Sequence, residues 1–215
     1  MKLFETMKLD NGHIPRLDYH FKRISKSSER LEFIFNHQLW HQCIQTILVN
    51  YSKGKYRLKI TLNKDGRISY DIQSLPYKTI FTARLVEQNS EIDNKYVTNK
   101  TTERAYLEHN HVTDLILFYD VKGKILEFDI GNVVIQEDEE LYTPSYNEDF
   151  LLGCMRQSLI DQDKLEEKDI YIDAFKEKVE SNQISVYLIN SLREVADVKI
   201  CLLYTSPSPR DLSTS

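Results

Sequence analysis

Lys100 stands in Asn99-Lys100-Thr101-Thr102-Glu103-Arg104. Its amine could attack a carbonyl carbon and then serve as a base if its surroundings lowered its pKa; taken alone, a lysine is a solvated surface charge. Glu127 opens Glu127-Phe128-Asp129-Ile130-Gly131-Asn132, and such a carboxylate could hold a cationic partner or sit at a strand edge opposite a lysine. Arg23, within His20-Phe21-Lys22-Arg23-Ile24-Ser25-Lys26-Ser27, offers a guanidinium fork that suits a phosphate dianion. Gly153-Cys154-Met155-Arg156 reads as a helix start, where free backbone amides and the helix dipole favour an anion. Asn190-Ser191-Leu192-Arg193 adds a hydroxyl. Their order along the chain says more than any one of them.

In that order the segments resemble the class IV aminotransferases, a pyridoxal-phosphate family that includes aminodeoxychorismate lyase, D-amino-acid transaminase and branched-chain aminotransferase. Lys100 and Arg104 fit the family's Lys-x-x-x-Arg pattern as in the lyase branch, and Glu127 and Asn132 fit Glu-x-x-x-x-Asn. The segment around Arg23 resembles His-x-x-Arg-Leu-x-x-Ser, and Gly153 to Arg156 resembles Gly-Ile-Thr-Arg.

The resemblance implies pyridoxal 5'-phosphate as cofactor, which asks for an amine, an acid beside the pyridine nitrogen and a phosphate cradle. Lys100 would be the Schiff-base amine and proton base, and Glu127 the acid. Arg23, Cys154, Met155 and Ser191 would hold the phosphate. Met155 replaces the usual threonine, so a hydroxyl contact is lost while the amide remains. Arg156 reads equally as part of this cradle or as a helix-surface residue pairing with Asp163 or Asp149. Arg57 and Lys59 point the same way from one strand. They could hold the carboxylates of a doubly anionic substrate, or form the wet face of a half-exposed hairpin.

The implied architecture is α+β, a two-domain class IV aminotransferase-like fold with the cofactor site in the interdomain cleft, usually as a homodimer. The opening Leu3-Phe4-Glu5-Thr6-Met7 looks most like bacterial aminodeoxychorismate lyases. That implies conversion of 4-amino-4-deoxychorismate to 4-aminobenzoate and pyruvate in folate biosynthesis. A branched-chain or D-amino-acid aminotransferase is the alternative, because cofactor residues are shared across the family. A catalytically silent binding or scaffold relative is another. The chain lacks the family's Gly-Asp-Gly stretch before Phe4, and Glu103 replaces an asparagine common after the lysine.

The elements that must position these residues follow from hydrophobic periodicity. Leu3 to Leu9 alternates as a strand, and Leu17 to about Phe33 and Leu39 to Val49 form amphipathic helices. Tyr56 to Leu62 and Arg67 to Gln73 flank Asn63-Lys64-Asp65-Gly66 as a hairpin. A strand spans about Thr79 to Val86. The polar stretch Glu87 to Asn94 reads as an interdomain linker, dividing the chain into residues 1–86, a linker 87–95 and a cofactor-binding unit 96–200. In the second half the pattern predicts a strand or extended entry at Tyr96-Val97 and a short helix from about Thr101 to Asn110. Strands follow at Thr113–Tyr119, Ile125–Asp129, Val133–Ile135 and Leu141–Tyr142. Helices are expected at Phe150 to Gln162 and Asp173 to Glu180, with a final strand at Val186–Asn190. Strands and helices without regular alternation argue for α+β rather than a doubly wound sheet.

With 215 residues, 41% hydrophobic and 28% charged, the chain can bury a real core. A net charge of −5 gives no general reason to bind nucleic acid or an anionic membrane. An anionic ligand needs a local positive cluster instead. No apolar run is long enough to cross a bilayer and no signal-peptide core opens the chain, which points to the cytoplasm. Cys43, Cys154 and Cys201 have no metal-ligand spacing and argue against a disulfide framework or structural zinc. The histidines read as solvated or capping residues. Residues 201–215, rich in Ser, Pro and Thr, resemble a translated transposase adapter from sequencing-library preparation. They are set aside as an artefactual tail.

Overall fold

In the first strand, β1 (Leu3–Asp10), Leu3, Glu5, Met7 and Leu9 are buried while Phe4, Thr6, Lys8 and Asp10 are half-buried. This is the period-2 pattern of a strand covered on one face. The computed structural model describes residues 1–75, 77–88 and 91–202. β1 pairs antiparallel with β2 (Lys55–Leu62), placing Lys8 opposite Arg57, and β2 pairs with β3 (Ile68–Ser74). The hairpin turn closes through a Gly66 N–H to Asn63 C=O bond at 3.0 Å, with Gly66 at φ 88°.

One face of this three-stranded sheet is covered by α1 (Leu17–Arg30) and α2 (His37–Asn50), which join Ile24, Trp40, Ile44 and Ile47 to Met7, Leu9, Leu58 and Ile60 in a single apolar core. Each fully buried aliphatic or aromatic side chain there contributes about 1.5–3 kcal/mol. On α1, His20, Arg23, Ile24 and Ser27 recur at helical spacing, so one stripe faces the sheet. Asn36 caps α2 by accepting from the Leu39 amide at 3.1 Å.

The second sheet runs β10 (Ile184–Asn190), β11 (Glu194–Ile200), β4 (Ile80–Glu87), β5 (Leu115–Tyr119), β6 (Ile125–Phe128), β7 (Gly131–Glu137), β8 (Glu140–Thr143) and β9 (Glu166–Glu167). β10 also pairs with β7. The two pairings of β10 therefore close β10, β11, β4, β5, β6 and β7 into a ring. Leu117, Ile125, Phe128, Val133, Ile135, Leu188 and Ala196 fill it, with Phe175 of α5 (Ile172–Glu180) packed against them. β5 is buried on both faces, since Ile116 and Phe118 pack outward on Leu126 and Phe150. The fold is mixed α+β, and no helix among the described residues is long and apolar enough to cross a membrane.

Several expectations need correcting. No helix covers Thr101 to Asn110. Tyr96 and Val97 are not extended but close the short helix α3 (Asn94–Val97), and only a 3-10 turn forms at Ala105–Leu107. The backbone at residues 100–102 pairs with β1 instead: Phe4 N–H donates to Lys100 C=O and Thr102 N–H to Lys2 C=O. Helix α4 is Cys154–Ile160, shorter than the expected Phe150 to Gln162, because residues 151 and 152 spend their backbone groups on side chains from elsewhere. β10 is not the final strand. β11 follows it, its inward positions Ala196 and Val198 separated by exposed Val195, Asp197 and Lys199, a weak alternation to read.

β4 lies in the eight-stranded sheet, parallel to β5 and β11, so sheet membership changes before residue 80 rather than at residues 87–95. Of the expected linker, residues 89 and 90 lie outside the described residues, as does the tail from residue 203 onward.

Candidate active site

β1 joins the two sheets. Its Phe4 amide bonds Lys100 C=O at 3.0 Å, and its Lys8 amide bonds Ser191 C=O at 3.1 Å. A cavity of about 460 Å³ opens between them, lined from one side by Phe4, Thr6, Arg23 and Arg57 and from the other by Lys100, Arg104, Glu127, Asn132, Cys154 and Ser191. Lys100 and Glu127, far apart in sequence, share this one cavity.

Lys100 is half-buried with its Nζ 5.3 Å from the Phe4 ring centroid. Burial first, then the nearby Arg23 guanidinium, depress its pKa to about 7. A substantial fraction of the amine is then uncharged near neutrality, as a nucleophile or base must be. Glu127 is 5% exposed. Burial pushes its carboxyl up to about 8, against the opposing pull of Arg104 and the Leu151 amide. Its Oε1 accepts from Leu151 N–H at 3.0 Å, the one hydrogen bond it makes among the described residues. A cationic ring nitrogen placed beside it would ionise it.

Asn132 sits directly opposite Glu127 in the β6–β7 register, and its Nδ2 donates to Leu151 C=O at 3.0 Å. Both ends of the Leu151 residue are thus pinned by this pair. Asn132 presses against Gly153, where an added Cβ would come within 2.0 Å of Asn132 Oδ1.

Arg23 lines the cavity with its side chain 14% exposed. Its Nε donates to Glu5 Oε1 at 2.9 Å, its Nη2 to Glu5 Oε2 at 2.5 Å and its Nη1 to Leu152 C=O at 2.9 Å. Glu5 is 1% exposed. Burial alone would raise its pKa, but Arg23 and His20 hold the carboxyl well below the usual range. His20 Nδ1 lies 2.6 Å from Glu5 Oε2 and 3.5 Å from Cys154 Sγ. His20 is fully buried, which corrects the expectation of a solvated or capping role, and burial lowers its pKa. His37 and His41 pack their rings on Phe21, and His109 pairs with Asp129 at 3.5 Å.

Sequence reasoning missed Glu5, although a carboxylate on the inward face of Leu3-x-Glu5-x-Met7-x-Leu9 was a usable signal. Glu5, His20 and Cys154 bring metal-ligand atoms within 4.8 Å of one another. Arg23 and His20 already occupy both Glu5 oxygens, and a cation there would have to displace the guanidinium.

Gly153 caps α4 without a side-chain bond. Cys154 lines the cavity, and burial pushes its thiol up to about 11. The Met155 side chain packs instead among Val134, Leu165 and Ile189, leaving only its amide to face the helix start. Arg156 takes neither of its expected places. It is 1% exposed, donates to Pro144 C=O at 2.8 Å and pairs with Glu167 rather than Asp163 or Asp149.

Ser191 is buried at the cavity wall, and Asn190 Oδ1 fixes the turn after it by accepting from Leu192 and Arg193 amides at 3.0 and 2.8 Å. Arg57 lines the cavity and donates to Gln73 at 2.9 Å, while Lys59 is not among the lining residues and has its Nζ 4.8 Å from the Phe4 ring centroid. Arg104, Asp129 and Arg193 also line the cavity.

Residues 2–201 match the family model described as amino-transferase class IV. Among solved structures, a candidate amino-acid aminotransferase from Mesorhizobium loti superposes with a TM-score of 0.78 at 23% identity, covering 93% of this chain and 99% of that one. A candidate 4-amino-4-deoxychorismate lyase from Haemophilus somnus gives 0.72 at 22%, covering 90% and 97%. A hypothetical aminotransferase from Mycobacterium tuberculosis in its PLP-bound form gives 0.76 at 16%, covering 98% and 84%.

Proposed function

The chain belongs to the class IV aminotransferase family, whose members are pyridoxal-phosphate-dependent enzymes, and on that premise we propose that it is a lyase converting 4-amino-4-deoxychorismate to 4-aminobenzoate and pyruvate. The donor set suits the cofactor. Lys100 has a pKa near 7, Glu127 is a buried carboxyl that makes no ion pair among the described residues, and Arg23, Gly153, Cys154 and Ser191 line the same cavity, with Gly153 and Cys154 at the start of α4.

When bound, pyridoxal phosphate supplies a protonated ring that accepts the electrons left on the substrate carbon. Lys100 would hold it through Nζ and, once released by the substrate amine, take the proton from the amine-bearing carbon at that same atom. Glu127, fixed by Leu151 N–H, would keep the ring nitrogen protonated. Phe4, Leu107 and Ile130 line the cavity with apolar surface and would limit water near the reacting carbon. Cleavage of the ether bond would then expel the enolate of pyruvate, which takes up a proton at carbon, and leave an aromatic amine.

One observation carries this reading over an aliphatic aminotransferase. Once Lys100, Glu127 and Arg23 are assigned to the cofactor, the cavity wall still carries Arg57, Arg104 and Arg193 beside one further carboxylate, Asp129; Arg57 also donates to Gln73 and lies 3.9 Å from Asp71, and Arg193 stacks on Phe81. Three guanidinium groups suit a dicarboxylate and leave an isobutyl or isopropyl side chain poorly served. We also read the active form as a homodimer in the cytoplasm, supplying folate biosynthesis; light scattering tests the dimer.

The deciding experiment supplies purified protein with pyridoxal phosphate and 4-amino-4-deoxychorismate, and measures 4-aminobenzoate and pyruvate without any added keto acid. Release of both supports the lyase. An absolute need for a keto acid makes the protein an aminotransferase, and no long-wavelength absorbance with pyridoxal phosphate makes it a silent relative.

A further inference from the structure

Resting on the reading that Arg23 meets the cofactor phosphate, we propose that Glu5, held in turn by His20, is the positioning residue that aims Arg23 into the cavity. A guanidinium has five N–H donors in one plane. Glu5 takes two of them and Leu152 C=O takes a third, at 2.9, 2.5 and 2.9 Å. One N–H on each of Nη1 and Nη2 remains. Three fixed bonds set the plane, so the directions of the last two donors are fixed before any anion arrives, and no side-chain freedom is lost on binding.

His20 completes the device. The Glu5 carboxylate is ionised, held so by Arg23 and His20, and cannot donate, so the 2.6 Å contact requires the proton on His20 Nδ1. That choice leaves His20 Nε2 buried with no hydrogen-bond partner among the described residues, a polar atom left unsatisfied so that its sister nitrogen can lock Glu5. Glu5 and His20 are absent from the cavity wall, whereas Arg23 and Cys154 stand on it, so the pair acts only through its neighbours.

The charge balance gives the proposal a distinctive sign. Glu5 cancels the charge of Arg23, so by Coulomb attraction alone removing the carboxylate should tighten binding of a phosphate dianion. If orientation governs, removal should loosen it. The gain from a freed charge is weak when the side chain swings away from the ligand, whereas losing the outer partner that orients a metal ligand weakens binding by about 10–100-fold, and the same scale is expected for an oriented guanidinium.

The experiment titrates the full chain with pyridoxal phosphate and with pyridoxal, which lacks the phosphate, following absorbance for the parent protein and for Glu5→Gln, Glu5→Asp, His20→Asn and Arg23→Gln. Glu5→Gln is expected to weaken pyridoxal phosphate roughly tenfold or more and to leave pyridoxal within about twofold. His20→Asn, which keeps the ion pair, and Glu5→Asp, which keeps the charge with a shorter reach, should show smaller losses of the same kind. These two keep the proposal testable should Glu5→Gln not fold. Equal or tighter pyridoxal phosphate binding in the Glu5 variants overturns it while Arg23→Gln still loses the phosphate preference. A preference that survives Arg23→Gln overturns the premise instead, and the proposal with it.

Discussion

Asn132 leaves no room for a side chain at Gly153: a Cβ there would stand 2.0 Å from Asn132 Oδ1. Gly153 has φ −72°, which any residue adopts, so the demand is for space and not for conformational freedom. The same Asn132 donates to Leu151 C=O while Glu127 accepts from Leu151 N–H, both at 3.0 Å. The entry to α4 and the carboxylate of the site are therefore one packed unit.

Gly153→Ala should drive Asn132 from its place and cost about 1–3 kcal/mol through overpacking. Thermal unfolding should shift down by several degrees, and pyridoxal phosphate titration should show weaker binding. An unchanged melting curve would mean the loop gives way without strain.

The depressed pKa of Lys100 fixes the sign of a stability effect. Between about 7 and its ordinary 10.5, the unfolded chain binds the proton and the folded chain does not, so this residue makes stability rise with pH across that window; below 7 its burial cost is fully present. Lys100→Met in cofactor-free protein should flatten the rise, and abolish the long-wavelength absorbance seen on adding pyridoxal phosphate. Urea denaturation at several pH values measures the first.

Glu127 works in the opposite direction. Its carboxyl titrates at about 8 when folded against an ordinary 4.5, so the folded state holds the extra proton and stability falls as pH rises from 4.5 to 8. Glu127→Gln should remove that slope, keep attachment of the cofactor through Lys100 and lower turnover by roughly a hundredfold or more. Full turnover in Glu127→Gln would remove it from the chemistry.

Arg156 belongs to the fold. It is buried, bonded to Pro144 C=O at 2.8 Å, paired with Glu167 and set 5.4 Å from the Phe150 ring centroid. Arg156→Ala should destabilise by about 2 kcal/mol, discounted because Glu167 is partly exposed, without changing the ratio of pyridoxal phosphate to pyridoxal affinity. A selective loss of the phosphate compound would return Arg156 to the cradle.

The sequence by itself determined the strands of the first sheet and the two helices, and it singled out Lys100, Glu127 and Arg23, which the fold brings to one cavity. Alternation in β1 and β2, helical spacing in α1 and the turn at Asn63 to Gly66 are local signals, and Lys100, Glu127 and Arg23 sit in segments whose spacing survives without knowledge of the fold. What only the tertiary structure decided depends on groups meeting across long separations. The backbone of Thr101 and Thr102 is not helical because β1 claims it. β4 joins the second sheet because β11 and β5 flank it. Glu5 becomes the partner of Arg23 only when β1 and α1 pack face to face. Periodicity records which side of an element is buried but not what it is buried against, and burial against particular neighbours is what sets the pKa values of Lys100 and Glu127.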